Sequence, residues 1–258
     1  MMRFCKLGVY VMVDIHCHIL PGFDDGAATM EEALAMAKIA VSSGVTDLVV
    51  TPHFPGTAAS LRRLGKLVDL YNQLNRALHR GKIPLRIHLG AEILCLPETP
   101  QLAARKELPT IADTSFILTE FHFDVSAEYM NDMLHALRSA GYTPVIAHPE
   151  RYEAVQRSPR LAAYWFQCGY VLQLNKGSLL GYFGKRVQST AIGLLEGGLA
   201  HLIATDAHSP HHRTPNMRHL RSWLQNRCSE EYIALLLKEN PARLLAGRKM
   251  VSTVSEDI

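Results

Sequence analysis

The chain has 258 residues, 48% of them hydrophobic, and a formal net charge of +3 with both signs scattered. That length can bury a sizeable core, and the composition excludes a disordered chain and lends no support to a nucleic-acid surface. The five cysteines form no CxxC pair, which fits a reducing cytoplasm, and no apolar run approaches the roughly 18 residues that span a bilayer.

The start, MMRFCKLGVYVM, has basic residues and an apolar patch but runs into Asp14 without a small-residue cleavage site. Residues 1–11 read as an N-terminal extension that need not be translated, because Met12 could also serve as the start. The first predicted strand, 12–17, opens the stretch VDIHCHILPGFDDG. Its alternation puts Asp14, His16 and His18 on one face and turns Cys17 away to pack. Thr29 and Glu32 form a capping box before an Ala- and Met-rich helix that ends near Gly44. A rhythm then recurs in SSGVTDLVVTPH, SAGYTPVIAHPE, QCGYVLQLN and EGGLAHLIATDAH: a helix, a glycine suited to a left-handed C′ position, a β-branched run, then a polar residue. Further strands are predicted at about 46–51, 86–91, 116–120, 144–147, 170–174 and 201–205. Further helices are predicted at about 60–80, 127–140, 159–168, 186–196 and 214–239, the last broken near Ser229. The apolar runs are continuous, as in strands buried on both faces. Roughly seven βα repeats without a composition break imply a closed parallel barrel over 12–248, a single α/β domain, followed by a polar tail at 249–258.

Such barrels carry their chemistry at the C-terminal ends of the strands, and this sequence places ligand-type residues there. His16, His18 and Asp25 follow the first strand, and His53 closes the second in VVTPHF. Glu92 follows the third in LGAEI, and Glu120 ends the fourth in ILTEF. His148 ends the fifth in VIAHPER, and Asp206 with His208 ends the seventh in IATDAH; the sixth ends in neutral Gln173 and Asn175. Each residue alone has an ordinary explanation as a cap, a surface pair or a packed histidine. Six strand ends of one chemical type do not. Imidazoles mixed with carboxylates suit manganese, iron or zinc better than calcium. Four carboxylates in one concavity repel unless cations offset them; two divalent ions bring the sum to about zero and three to about +2. A positive site attracts phosphate, and Arg151 in HPER and Arg213 in SPHHRTP are placed to fork onto its oxygens. His79, His88, His135, His201 and His219 read as surface or packing residues, and His122, His211 and His212 as peripheral to the mouth.

A thiol-phosphatase CxxxxxR loop, a GxxxxGK[ST] loop and a strand–GxGxxG–helix unit are all absent. No lysine is expected at a strand end, which argues against a barrel amidohydrolase with a carboxylated lysine.

The motifs DIHCHILPGFDDG, TPHF, GAEI, EF, AHPER and ATDAH occur in the order of the PHP (polymerase and histidinol phosphatase) superfamily. Over about residues 12–245 the chain resembles its CpsB/CapC-type bacterial tyrosine-protein phosphatases. The resemblance implies a distorted (β/α)₇ TIM-like barrel with a trinuclear site, usually manganese. It implies one ion at His16, His18, Glu92 and Asp206, a second at Glu92 and Glu120 with His148 nearby, and a third at Asp25, His53 and His208. Arg151 and Arg213 would contact phosphate; apart from the resemblance, if the reaction uses a general acid, His208 or a metal-bound water is the candidate. The implied substrate is the phosphotyrosine-bearing tail of a bacterial tyrosine kinase that co-polymerises and exports polysaccharide. Another PHP phosphoesterase, such as a histidinol phosphatase, and a non-catalytic kinase-binding scaffold are the rival readings.

Overall fold

In a computed structural model of the chain, residues 11–252 are described. The extension expected at 1–11 and the tail expected at 249–258 therefore lie largely outside the described residues.

Among the described residues, nine strands run in chain order: β1 (Met12–Cys17), β2 (Val45–Val50), β3 (His53–Pro55), β4 (Arg86–Leu89), β5 (Glu92–Leu94), β6 (Phe116–Glu120), β7 (Thr143–Ala147), β8 (Val171–Asn175) and β9 (Leu202–Ala204). Every strand pair is parallel, in two sheets ordered β1-β2-β4 and β3-β5-β6-β7-β8-β9. The strands predicted at 46–51 and 86–91 are β2 and β4, each followed by a short strand beyond the predicted range, β3 or β5, so the seven predicted strands become nine among the described residues. Pro52, between β2 and β3, has no N–H for a ladder and serves instead as acceptor for Glu92 N at 3.0 Å. At Gly90, between β4 and β5, a Cβ would fall 2.9 Å from Val49 Cγ1, so the two strands approach too closely for a side chain.

The barrel closes between β1 and β9 through few bonds. Cys17 bridges Ala207, His18 N donates to Ala207 O at 2.8 Å, and Asp206 N donates to His16 O at 2.9 Å. Side chains complete the joint: Asp14 Oδ1 accepts from Thr205 N at 3.0 Å and its Oδ2 from the Thr205 hydroxyl at 2.5 Å. Inside the barrel, Val13, Ile15, Val49, Leu118, Val145, Ala147 and Leu202 form one apolar cluster; a larger one, with Trp165 and Leu172, lies between strands and helices.

The shared face expected for Asp14, His16 and His18 requires correction. The β1–β2 register slips between Asp14 and Cys17, which marks a bulge in β1. Ile15 joins the inner cluster, Asp14 points to Thr205, and the extra residue turns His16 toward the barrel mouth. Bulges re-aim side chains in this way beside functional sites. Cys17 is buried in the outer cluster, as a packing residue should be.

The helix Met30–Ser42 starts at the expected cap: Glu32 N donates to Thr29 Oγ1 at 3.3 Å, and Glu32 Oε2 accepts from Ala28 N at 2.8 Å. Gly44 and Gly141, which follow helices, have φ of +100° and +82°. The long helix predicted at 214–239 resolves into Arg218–Gln225, Glu230–Ala234 capped by Ser229, and a π-helical turn, Leu235–Glu239. Among the described residues, no helix is long and apolar enough to cross a membrane.

Candidate metal centre

The strand ends converge at one rim. His16 Nε2 and His18 Nε2 are 3.1 Å apart, and Glu92 Oε2 lies 3.2 and 3.3 Å from them. Asp206 Oδ1 lies 3.5 and 3.4 Å from the same two nitrogens. All four side chains are fully or almost fully buried. A second group shares Glu92: His53 Nδ1 is 3.1 Å from Glu92 Oε2 and 2.8 Å from Glu120 Oε1. A third lies outward, where Asp25 Oδ1 is 3.5 Å from both His53 Nε2 and His208 Nε2, with the His18 ring stacked 3.9 Å from that of His208. Three sets of donor atoms are thus each close enough for one ion: His16, His18 and Asp206; His53, Glu92 and Glu120; and His18, Asp25, His53 and His208. His148 reaches the cluster only through Glu92 Oε1, at 3.0 Å.

The tautomers are set from behind. His16 Nδ1 is 2.8 Å from the Gln173 side-chain oxygen, and His18 Nδ1 is 2.8 Å from Asp24 Oδ2. His208 Nδ1 is 3.0 Å from the carbonyl of Asp206. These oxygens can only accept, so each Nδ1 carries the proton and each Nε2 turns a lone pair to the centre.

These atoms fit metal. Two imidazole nitrogens 3.1 Å apart, facing two carboxylates, need positive charge between them, as protons or as a metal ion. Donors about 2.1 Å from a common ion are separated from one another by about 3.0–3.4 Å, which matches the spacing of the inner four. Glu92 Oε2 and His208 Nε2 are buried without a hydrogen-bond partner. Burial alone would lower His16 and His18, but Glu92 and Asp206 hold both above the ordinary histidine range. Despite its burial, Glu92 is held well below the ordinary carboxylate range by His16, His148 and His18. The pocket therefore calls for positive charge, which a metal ion would supply.

Several residues that sequence reasoning passed over support the centre. Asp24 orients His18 and also accepts His53 N at 2.8 Å. Gln173 orients His16. Asn175 Nδ2 donates to Asp206 Oδ2 at 2.5 Å. The neutral strand β8, the sixth of those predicted, thus acts on the ligands from behind, and the signal was its polar residues at a strand end. Lys176 follows β8 directly, so a strand end does offer a lysine. It is buried, but its Nζ donates to Thr214 O and Asn216 O, pinning the loop that carries Arg213.

Both arginines reach one oxygen. Arg213 Nη2 is 2.5 Å and Arg151 Nη1 3.6 Å from Asp206 Oδ2. His148, Asp206 and Arg213 take left-handed φ of +35°, +50° and +49°, as do Lys82, Lys106, Ala112 and Asp113 away from the centre. The other histidines are elsewhere: His88 pairs with Asp47 at 3.0 Å, His135 with Tyr164 at 3.2 Å, and His201 is buried against Phe166. His122, His211 and His212 are exposed and belong to none of the three donor sets.

Residues 12–246 match the family model described as capsular polysaccharide synthesis, CpsB/CapC. The chain belongs to the CpsB/CapC family. It is 35% identical over 242 residues to the tyrosine-protein phosphatase YwqE of Bacillus subtilis (strain 168), covering 92% of each chain. It is 28% identical to the tyrosine-protein phosphatase CpsB of Streptococcus pneumoniae, covering 91% of this chain and 98% of that one. A crystal structure from work on YwqE and CpsB, described there as metal-dependent tyrosine phosphatases, superposes with a TM-score of 0.82 at 34% identity, covering 94% and 97% of the two chains. The dihydropyrimidinase of Brevibacillus agri shares the barrel fold alone, with a TM-score of 0.57 at 11% identity over 95% of this chain and 73% of that one. The TIM-like α/β barrel of this CpsB/CapC chain is thus the one its sequence implied.

Proposed function

We propose that this CpsB/CapC protein is a cytoplasmic, metal-dependent protein-tyrosine phosphatase that acts on the tail of a bacterial tyrosine kinase and so regulates capsular or exopolysaccharide assembly. The observation that carries the reading is the meeting of two chemistries at Asp206. Its Oδ1 faces the His16–His18–Glu92 donor set, and its Oδ2 is reached by Arg151 and Arg213. A phosphate monoester held there touches cationic groups on both sides.

His16, His18, Glu92 and Asp206 would hold one ion, Glu92 and Glu120 with His148 nearby a second, and Asp25, His53 and His208 a third, so that no imidazole nitrogen serves two ions; manganese, iron or zinc suits this donor mix. Bound divalent ions act as Lewis acids toward phosphoryl oxygens and lower the pKa of water from about 15.7 to near 7. The chain's own residues do the rest. Arg213 and Arg151 orient the phosphoryl group and stabilise charge on its oxygens. Asp24, Gln173 and Asn175 keep the ligand side chains aimed inward. The leaving phenolate has a conjugate-acid pKa of about 10 and needs little help to depart. His208 is better placed as a ligand than as the acid expected of it. Burial and the neighbouring His18 charge push it down to about 3, and its one proton is committed to the Asp206 carbonyl.

Phosphate release from a tyrosine-phosphorylated kinase tail, with Mn²⁺ and then with chelator, tests the reading, with histidinol phosphate as the competing substrate. Metal-dependent release from the peptide and little from histidinol phosphate is expected. The reverse preference, or kinase binding without release, would overturn it.

A further inference from the structure

Arg151 packs against two phenylalanines. Its guanidinium carbon is 4.4 Å from the Phe123 ring centroid and 4.5 Å from that of Phe183. The rings come from separate loops, Phe123 after β6 and Phe183 after β8. Both rings are within cation–π range of the guanidinium and restrict where it can swing, and Nη1 lies 3.6 Å from Asp206 Oδ2.

Each ring is fixed in its turn. A Cβ on Gly177 would fall 2.8 Å from Phe183 Cε2, so that ring fills space a glycine leaves. The carbonyl of Phe123 accepts from Glu153 N at 2.8 Å, and its ring meets His148 edge-on at 6.0 Å. Phe123 nonetheless remains 42% exposed. A fixed aromatic ring with an open side, beside a site imidazole and a phosphate-facing arginine, has room for one more ring.

We propose that Phe123 makes the site selective for aryl over alkyl phosphate monoesters by packing against the aromatic ring of the leaving group. The proposal rests on the phosphatase reading above and names the residue that reads the tyrosyl side chain. A phosphorus held by a guanidinium sits about 4 Å from the guanidinium carbon, and a phenyl ring joined through one oxygen lies within a few ångströms more. That brings the leaving ring into the ~4.5–7 Å range in which aromatic pairs attract, edge-on or offset. The short alkyl stem of a phosphoserine offers no ring for this contact.

Phenylphosphonate and methylphosphonate share the anionic head and differ in the ring, so their competitive inhibition constants isolate the contact. The full chain loaded with Mn²⁺ is compared with Phe123→Ala, Phe123→Leu, Phe123→Trp and Phe183→Ala. The parent chain should prefer the phenyl compound, and both Phe123→Ala and Phe123→Leu should shrink that preference about 3- to 10-fold, while Phe123→Trp retains it. Phe183→Ala should weaken both compounds by a similar factor, because it loosens Arg151 without touching the leaving ring. An unchanged phenyl-to-methyl ratio in both Phe123→Ala and Phe123→Leu would overturn the proposal. A parent chain that neither binds these phosphonates nor dephosphorylates a phosphotyrosyl peptide would instead overturn the phosphatase reading, so the two failures are distinguishable.

Discussion

One oxygen of Asp24, Oδ2, accepts both the Nδ1 proton of His18, at 2.8 Å, and the backbone N–H of His53, at 2.8 Å. It ties the first and second strand ends together just behind the ligand atoms. Despite burial, these bonds hold Asp24 down at about 2, so it stays a carboxylate at any working pH. Asp24→Asn should free the His18 ring to choose the wrong tautomer. Manganese affinity should fall about 10- to 100-fold, read by titrating apoprotein, with much of the activity restored by excess metal.

Glu92 is the acid shared by two donor sets: Oε2 lies near His16, His18 and His53, and Oε1 near His148. Glu92→Gln keeps the shape and removes the charge. Elemental analysis should show loss of at least one ion per chain, and kcat/KM should fall about 10²-fold or more. A variant with full metal content and parental activity would remove Glu92 from the centre.

Gly26 explains the glycine that ends the DDG motif. A Cβ there would sit 1.9 Å from the carbonyl oxygen of His18, against backbone that cannot yield. Gly26→Ala should displace the Asp24–Asp25 turn and cut activity at limiting manganese by about 10-fold or more, on the scale of losing a partner that orients a ligand. Calorimetry of the apoprotein should show a smaller effect on folding.

Arg213 touches Asp206 and is held by its loop. Removing its donors should cost about 10²- to 10³-fold in kcat/KM. Arg213→Lys should recover only part of this loss, since an ammonium cannot fork onto two phosphoryl oxygens. Steady-state kinetics on the phosphotyrosyl peptide measure both.

His201 gives a pH test away from the metal centre. It is buried, stacked 4.7 Å from Phe166, and its Nδ1 accepts Leu172 N at 3.1 Å, so it must be neutral when folded. Burial pushes it down to about 4, while the unfolded chain protonates it near 6.5. As pH falls from about 6.5 to 4, the unfolded state therefore takes up the proton first, and stability is lost. Above 6.5 the contribution is fully retained. The total is about 3 kcal/mol. His201→Asn keeps an acceptor without the titration, so in denaturant melts of the two apoproteins the wild type should lose more stability across that window.

The barrel class and the meeting of ligand-type residues could be read from the sequence because strand ends in parallel barrels gather at one face, whatever their separation in the chain. Residue type at a strand end was sufficient evidence. The bulge in β1 was not legible, because HxH looks the same on a regular strand. The short strands after Pro52 and Gly90 were not predicted, because His53–Pro55 and Glu92–Leu94 are too brief to show a strand pattern. Asp24 and Lys176 were missed for a different reason. Their partners, His53 and the Thr214 loop, are distant in sequence, and only the fold shows what their charges are for.

The first and last staves of the barrel meet through a single bridge, a few bonds and the Asp14–Thr205 pair, and His16 and Asp206 stand on opposite sides of that gap. An ion seated between them would add one more link across that seam, from the first strand to the last. Limited proteolysis with and without manganese reads the consequence: the loaded protein should be the more resistant there.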